Sequence, residues 1–414
     1  MLIVQKYGGT SVGTTERIRA VAERVRRTVA KGDQCVVVVS AMGHSTDALV
    51  TLASELVDKP ADREMDSLLA TGEQVSASLL AMRLIHIGCP AMSLTGWQAG
   101  IETEAVHKNA RITSIDTNAL KTLLEQGITP IVTGFQGIAA GQITTLGRGG
   151  SDTSAVALAA ALEADACEIY TDVDGVYTTD PRVVRQAKKL DYVTYDEMLE
   201  LANLGAQVLH PRAVENAKHF SVRLIVRSSF SEEDGTQVVS MMENQMEERQ
   251  VVTGIAFERQ VARIAVIGVP TKQHGLASIF SKLAEHGVNV DVIVQSVVSE
   301  AAVDVAFTVN EADIDKAVEV VETLRNGLHF ERIESAAELA KVSIVGAGMI
   351  SNPGVAAQMF VTLRDTDIHV QMVSTSEIKV SCVIPAGDVE AAVQALHRTF
   401  VEAEREADLT VTES

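Results

Sequence analysis

Three observations predict an α/β protein, with a three-layer αβα arrangement around a mainly parallel sheet followed by two α+β ferredoxin-like units. Strand-like and helix-like segments alternate over the first two-thirds of the chain, glycines gather just after several strands, and the last third repeats one supersecondary pattern. The 414 residues suffice for two to three domains. With 46% hydrophobic against 22% charged residues and a mean hydropathy of +0.15, a disordered chain is excluded. No apolar run is long enough to cross a bilayer, so the expectation is a soluble protein without a membrane partner.

Short apolar or β-branched runs at Leu2–Gln5, Gln34–Ser40, Ala91–Leu94, Thr129–Thr133 and Glu168–Thr171 read as strands. Between them, Thr15–Ala30, Ser67–Ile87 and Asp152–Glu163 show helical spacing. Such alternation predicts a parallel sheet covered on both faces, with ligands at the carboxyl ends of the strands. The texture changes around Ser228–Val252, and a Met- and Glu-rich stretch, Met241–Gln250, marks a boundary. The expected domains are therefore 1–240, 251–340 and 341–414.

The last third reads as strand, helix, strand, strand, helix twice over. The first copy is Val261–Gly268, Gly275–Glu285, Val288–Gln295, Ala301–Val309 and Ile314–Leu324, and the second is Val342–Gly346, Gly354–Leu363, Ile368–Ser374, Ile378–Ile384 and Val389–Phe400. A closing strand for each copy completes the split βαβ pattern. Glycines opening the first helix of each copy leave backbone amides free for a small anion such as an amino-acid carboxylate.

The net charge of −20 divides into −7 over residues 1–240 and −13 over 241–414. A chain acidic throughout is unsuited to nucleic acid, so a phosphate site has to be built locally. Cys35, Cys89, Cys167 and Cys382 lie far apart with no metal-ligand spacing, and no export signal opens the chain, which together point to free thiols in the cytoplasm.

Three segments carry chemistry. Lys6-Tyr7-Gly8-Gly9 follows the first strand, so backbone N–H groups can approach phosphate oxygens beside an ammonium. Gly147-Arg148-Gly149-Gly150-Ser151-Asp152 opens a helix, with Ser151 a candidate N-cap and Arg148 a guanidinium fork for a carboxylate. Thr171-Asp172 through Tyr177, Asp180 and Arg182 forms a long loop of carboxylates, hydroxyls and an arginine that suits a nucleotide. Together with Val39-Ser40-Ala41-Met42-Gly43, Thr71-Gly72-Glu73-Gln74 and Gly205-Ala206-Gln207-Val208-Leu209-His210-Pro211, these segments resemble the aspartate kinase branch of the amino acid kinase family over essentially the whole chain.

The resemblance implies an amino acid kinase domain followed by two ACT-type regulatory domains, and transfer of phosphate from ATP to the side chain of L-aspartate. That reaction opens the pathway to lysine, threonine and methionine. It assigns Lys6, Gly8 and Gly9 to the transferring phosphate, with Tyr7 among the nucleotide-binding residues, and Asp152 to organising Lys6 or a hydrated Mg2+, whose ligands stay unassigned. Ser40, Thr46, Glu73, Arg148 and Ser151 would hold aspartate, while Thr171, Asp172, Tyr177, Asp180 and Arg182 would line the nucleotide site. An amino-acid effector, lysine or threonine, would meet His274, Gly275, Leu276, Ala277, Asn289, Asp291, Gln295, Asn352 and Pro353. A homo-oligomer is expected, or association with a shorter subunit made of the C-terminal domains and started near Met246. Gln207, where some relatives carry Lys, and Gln273-His274, where many ACT-type domains carry Pro before the Gly, depart from the pattern. Two other readings stay open on the sequence: a sister enzyme such as glutamate 5-kinase, and a catalytically silent amino-acid sensor.

Overall fold

The computed structural model describes residues 1–203, 208–240, 251–271, 274–299, 301–350 and 352–403. Gln207, Gln273 and the Met241–Gln250 stretch, with its candidate start at Met246, lie outside the described residues. By their internal contacts the residues divide into two units, the first comprising 1–176, 189–203 and 207–242, and the second 177–188, 204–206 and 243–414.

The first unit holds a four-stranded sheet of Ile112–Ile115, Ile101–Thr103, Gln136–Ala139 and Gln142–Thr145 and, at its centre, an eight-stranded sheet in the order Tyr192–Thr194, Thr236–Val239, Leu224–Ser228, Ala166–Thr171, Leu2–Tyr7, Gln34–Val39, Thr129–Thr133 and Ala91–Leu94. In the eight-stranded sheet every neighbouring pair is parallel except Leu224–Ser228 with Thr236–Val239. Cys35 to Val39 are all buried, as strands covered on both faces require. On one face Val21, Ala22 and Val25 of helix Thr15–Ala30 pack with Ala77, Leu80 and Leu84 of helix Asp62–His86. Helix Gly150–Ala161 presents Ala155, Val156, Leu158 and Ala159 to the core, small enough to let it pack closely. The first strand has the second on one side and the later Ala166–Thr171 on the other, so the strand order reverses there, the position at which sheets of this kind place ligands.

A six-stranded antiparallel sheet makes up most of the second unit, in the order Ile293–Val297, Ala302–Asn310, Gly254–Pro270, Arg332–Val345, Lys379–Pro385 and Met372–Thr375. Helices Gly275–Glu285 and Ile314–Glu322 seal one core around Ile264, Val305 and Phe307. Helices Val355–Asp365 and Val389–His397 seal the other around Val342, Ile344 and Leu396. The duplication is visible as Ala262-Arg263-Ile264-Ala265-Val266-Ile267-Gly268 and Ala340-Lys341-Val342-Ser343-Ile344-Val345-Gly346.

The second copy takes a strand from upstream of the first. Residues 332–336 pair with 263–267 and close the first copy, whereas 254–258 pair with 341–345 and close the second from upstream of the first. Pairing thus crosses the divide drawn at 340/341. The second copy's last helix, Val389–His397, gives way to a five-residue π turn, Arg398–Glu402.

Residues 177–188 leave the first unit after Val176 and add to the second copy's core. Thr178 accepts at its carbonyl from Ile255 N at 2.7 Å, and Val184 is buried beside Ile255, Val342 and Leu396. The Thr178 hydroxyl lies 2.9 Å from His397 Nε2, and His397 Nδ1 lies 3.0 Å from Glu402 Oε1. His397 is fully buried, and that burial lowers its pKa against the opposing pull of Glu402.

Candidate active site

The carboxyl ends of the first two strands and the N-terminus of helix Gly150–Ala161 bring the chemistry together. Lys6 is 9% exposed, and its Nζ sits 2.6 Å from Asp152 Oδ1 in the first helical turn. Gly8 follows so closely that a Cβ there would lie 3.4 Å from that Nζ. Gly9 interlocks with the second strand's exit: its carbonyl accepts from Gly43 N at 3.0 Å, and a Cβ would stand 2.9 Å from Ala41 O. Tyr7 is a correction to the sequence reading. Successive strand residues point to opposite faces, so its ring is fully buried, stacked on Tyr170 at 4.7 Å with its hydroxyl donating to Gln5 Oε1. Its carbonyl is also taken, accepting from Ser40 N at 3.1 Å.

Glu73 is 4% exposed, with Oε1 accepting from Ala41 N at 3.1 Å and Oε2 buried without a hydrogen-bond partner. Burial raises its pKa to about 7, only partly offset by its backbone hydrogen bonds. Ser76, one turn on, donates to Ser40 O at 2.7 Å, so the helix and the Ser40–Gly43 turn are fixed to each other. Thr46 lies half-buried in the first turn of helix Ser45–Leu56.

Arg148 is exposed between Gly147 and Gly149, both with positive φ, at +76° and +68°. Gly149, in the left-handed conformation, is the helix N-cap residue, so Ser151 is buried inside the first turn and does not cap as expected. A Cβ on Gly149 would lie 2.0 Å from Cγ of His210, so both backbone conformation and space demand glycine there. His210 is the residue that sequence reasoning quoted without a role. Its ring packs on Gly149 and accepts from Arg212 N at Nδ1, and burial lowers its pKa.

The expected nucleotide residues divide between the units. Thr171 ends its strand with its hydroxyl donating to Asp172 Oδ1 at 3.1 Å, both in the first unit. Tyr177, Asp180 and Arg182 belong to the second, where Arg182 grips Asp180 through Nε and Nη2, and this holds the Asp180 carboxyl below the usual range. In the first ACT-like copy, His274 is the left-handed N-cap of helix Gly275–Glu285, with Leu276 and Ala277 exposed in its first turn. Asn289, Asp291 and Gln295 are exposed, but Asp291 already holds the ammonium of Lys341, a buried lysine that also meets Glu258 at 2.8 Å. In the second copy Asn352 donates to Gly348 O at 2.8 Å, ahead of Pro353 and the N-cap Gly354.

Comparison with known proteins agrees with this arrangement. Residues 1–228 match the amino acid kinase family, and residues 263–326 and 342–400 each match ACT domains. Aspartokinase 2 of Bacillus subtilis (strain 168) is 56% identical over 96% of this chain and 97% of its own. The chain belongs to the amino acid kinase family, in its aspartokinase branch. An aspartokinase of Corynebacterium glutamicum is 45% identical over 96% of each chain. Aspartokinase III of E. coli, solved in complex with aspartate and ADP, superposes with a TM-score of 0.78 at 28% identity, covering 96% of the kinase described here and 99% of its own chain. The same enzyme has also been solved with lysine and aspartate, at a TM-score of 0.74 and 27% identity over 97% and 99% of the two chains.

Proposed function

We propose that this kinase transfers the γ-phosphoryl group of ATP to the side-chain carboxylate of L-aspartate, giving 4-phospho-L-aspartate and ADP. The observation that carries the reading is Glu73: a buried carboxylate with one oxygen satisfied by Ala41 N and the other without a partner. A buried anion of this kind needs a cation, and the α-ammonium of an amino acid supplies one. Arg148, exposed on its glycine-flanked turn, would take the α-carboxylate through its planar fork. An acceptor carboxylate with a solution pKa near 3.9 is already ionised at neutral pH, so no general base is required. The chain must instead hold two anions in line and compensate developing charge. Lys6, fixed by Asp152, would meet the transferring phosphoryl oxygens, with the Gly9 amide beside it, while the Gly8 amide already donates to Tyr170 O at 3.2 Å.

Magnesium takes oxygen donors and rests on substrate phosphates with one or two carboxylates. Asp152 is the carboxylate at that position, and it fits an ion carried in by the nucleotide, which when bound would neutralise the β- and γ-phosphates. Thr171 and Asp172, at the end of their strand in the first unit, would contact the rest of the nucleotide. Lysine and threonine are the expected effectors of the ACT-like pair, in an oligomer of the chain or with a shorter C-terminal subunit. A coupled ADP-release assay tests the reaction: turnover is expected with aspartate and not with glutamate, and turnover with glutamate alone would transfer the chain to a sister kinase.

A further inference from the structure

Asp66 is a fully buried carboxylate that the reaction above leaves unused. It stands seven residues before Glu73 on helix Asp62–His86, two turns away and so on the same face. Burying an ionised carboxylate is costly unless hydrogen bonds replace its water. Three donors do so. Thr145 Oγ1 reaches Oδ1 at 2.6 Å, His107 Nδ1 reaches Oδ2 at 2.7 Å, and the backbone N–H of Lys108 bridges both oxygens at 3.1 and 3.2 Å. Because an ionised carboxylate only accepts, His107 carries its proton on Nδ1.

These donors belong to the surroundings of Arg148. Thr145 ends strand Gln142–Thr145, three residues before Arg148. Lys108 and Asn109 press on Gly147, where a Cβ would meet Asn109 Oδ1 and Lys108 O at 3.0 Å. Ala110 N donates to Thr145 O at 2.9 Å, and the Arg212 guanidinium spans Leu146 O at 2.9 Å and Ala110 O at 2.7 Å. The loop and the strand end are thereby fastened on both sides of Gly147, and Asp66 fastens both to the helix that bears Glu73.

We infer that Asp66 is a positioning residue for the amino-acid pocket, setting the separation between Arg148 and Glu73 by tying the Lys108 loop and Thr145 to the Glu73 helix. The inference rests on the reading that Arg148 and Glu73 hold the acceptor amino acid. A misplacement of about 1 Å in a binding fork is enough to cost affinity, so the effect belongs in one Michaelis constant.

Full-length Asp66→Asn, Thr145→Val, the double variant, Thr145→Ser and Arg148→Lys would be compared by steady-state kinetics with aspartate and ATP varied separately. Asp66→Asn is expected to raise the aspartate KM about tenfold or more, with the ATP KM within about twofold and kcat within about fivefold. Thr145→Val should shift the same constant, and the double variant should be less than additive because both act through one contact. Thr145→Ser, which keeps the hydroxyl, should rescue. An unchanged aspartate KM in Asp66→Asn, or an equal rise in both constants, alongside a raised aspartate KM in Arg148→Lys, would overturn the inference and leave the acceptor site standing. No effect of Arg148→Lys on aspartate would overturn the acceptor reading, and the inference with it. If Asp66→Asn fails to fold, Thr145→Val decides by the same criteria.

Discussion

Lys6 and Asp152 meet at 2.6 Å because a strand end and a helix start converge, and each is short of water there. In its proposed role Lys6 compensates charge mainly as the phosphoryl group transfers, so in Lys6→Ala kcat should fall by at least about 10²-fold while ATP binding measured by calorimetry persists. Glu73 gives a pH signature. Its pKa of about 7 means that it is largely protonated in slightly acidic solution, where it would lose the proposed hold on an ammonium. The aspartate KM should therefore rise as pH falls below about 7, and Glu73→Gln should flatten that profile at a high KM. The sign for stability is opposite. A carboxyl raised above its unfolded pKa binds more protons when folded, so stability declines as pH rises from the unfolded toward the folded pKa, by on the order of 3 kcal/mol. Glu73→Gln should accordingly be no less stable than the parent at pH 8 in urea titration. Lys6, Glu73 and Arg148 could be picked out of the sequence as candidates because each stands beside glycines or in an ordered motif. The burial of the Tyr7 ring follows from strand alternation, which the motif reading passed over. His210 and Asp66 gave no such signal, since their neighbours come from distant segments, although two carboxylates seven apart on an otherwise apolar helix face are themselves a clue.

Helices Thr15–Ala30 and Gly275–Glu285 and strands Ala91–Leu94 and Thr129–Thr133 lie where apolar spacing puts them. Other boundaries shift for local reasons. Helix Gly150–Ala161 starts one residue after Gly149 because the left-handed glycine ends the turn, and this moves Ser151 inside it. Helix Asp62–His86 begins five residues before the expected Ser67, with Asp62 and Glu64 favouring its N-terminus. The segment 177–188 was legible as a loop but not as part of the second unit, since its anchors, Ile255 and His397, come from far along the chain. Buried His397, with its pKa lowered, binds fewer protons folded than unfolded, so the second unit should lose stability as pH falls through and below about 6.5. His397→Gln should reduce that dependence, as followed by urea midpoints between pH 5 and 8. An unchanged slope would assign the acid sensitivity to other groups.

At the scale of the whole chain, the sequence revealed the duplication, but not that the second copy takes its closing strand, 254–258, from upstream of the first, because register is set by pairing partners and not by local pattern. Ile255, on that donated strand, is buried with Val342 and Leu396 of the second copy. Ile255→Ala should thus cost about 2–5 kcal/mol and speed hydrogen exchange in helix Val389–His397 more than in Gly275–Glu285. Equal protection in both helices relative to the parent would argue against the donation of 254–258 to the second copy. Regulation can be tested by calorimetry of the full chain with lysine and threonine, alone and together. Binding of either should shift aspartate affinity or turnover about 5- to 150-fold, and a response to neither would reduce the ACT-like pair to an architectural role. The donated strand also bears on synthesis. Gly254–Glu258 leave the ribosome well before Lys341–Val345, the residues they pair with, at a pace of roughly 5–20 residues per second. For those seconds the nascent chain carries an unpaired strand while the first copy can close on its own 332–336, so the later half of the duplication matures around a piece of chain made before the earlier half.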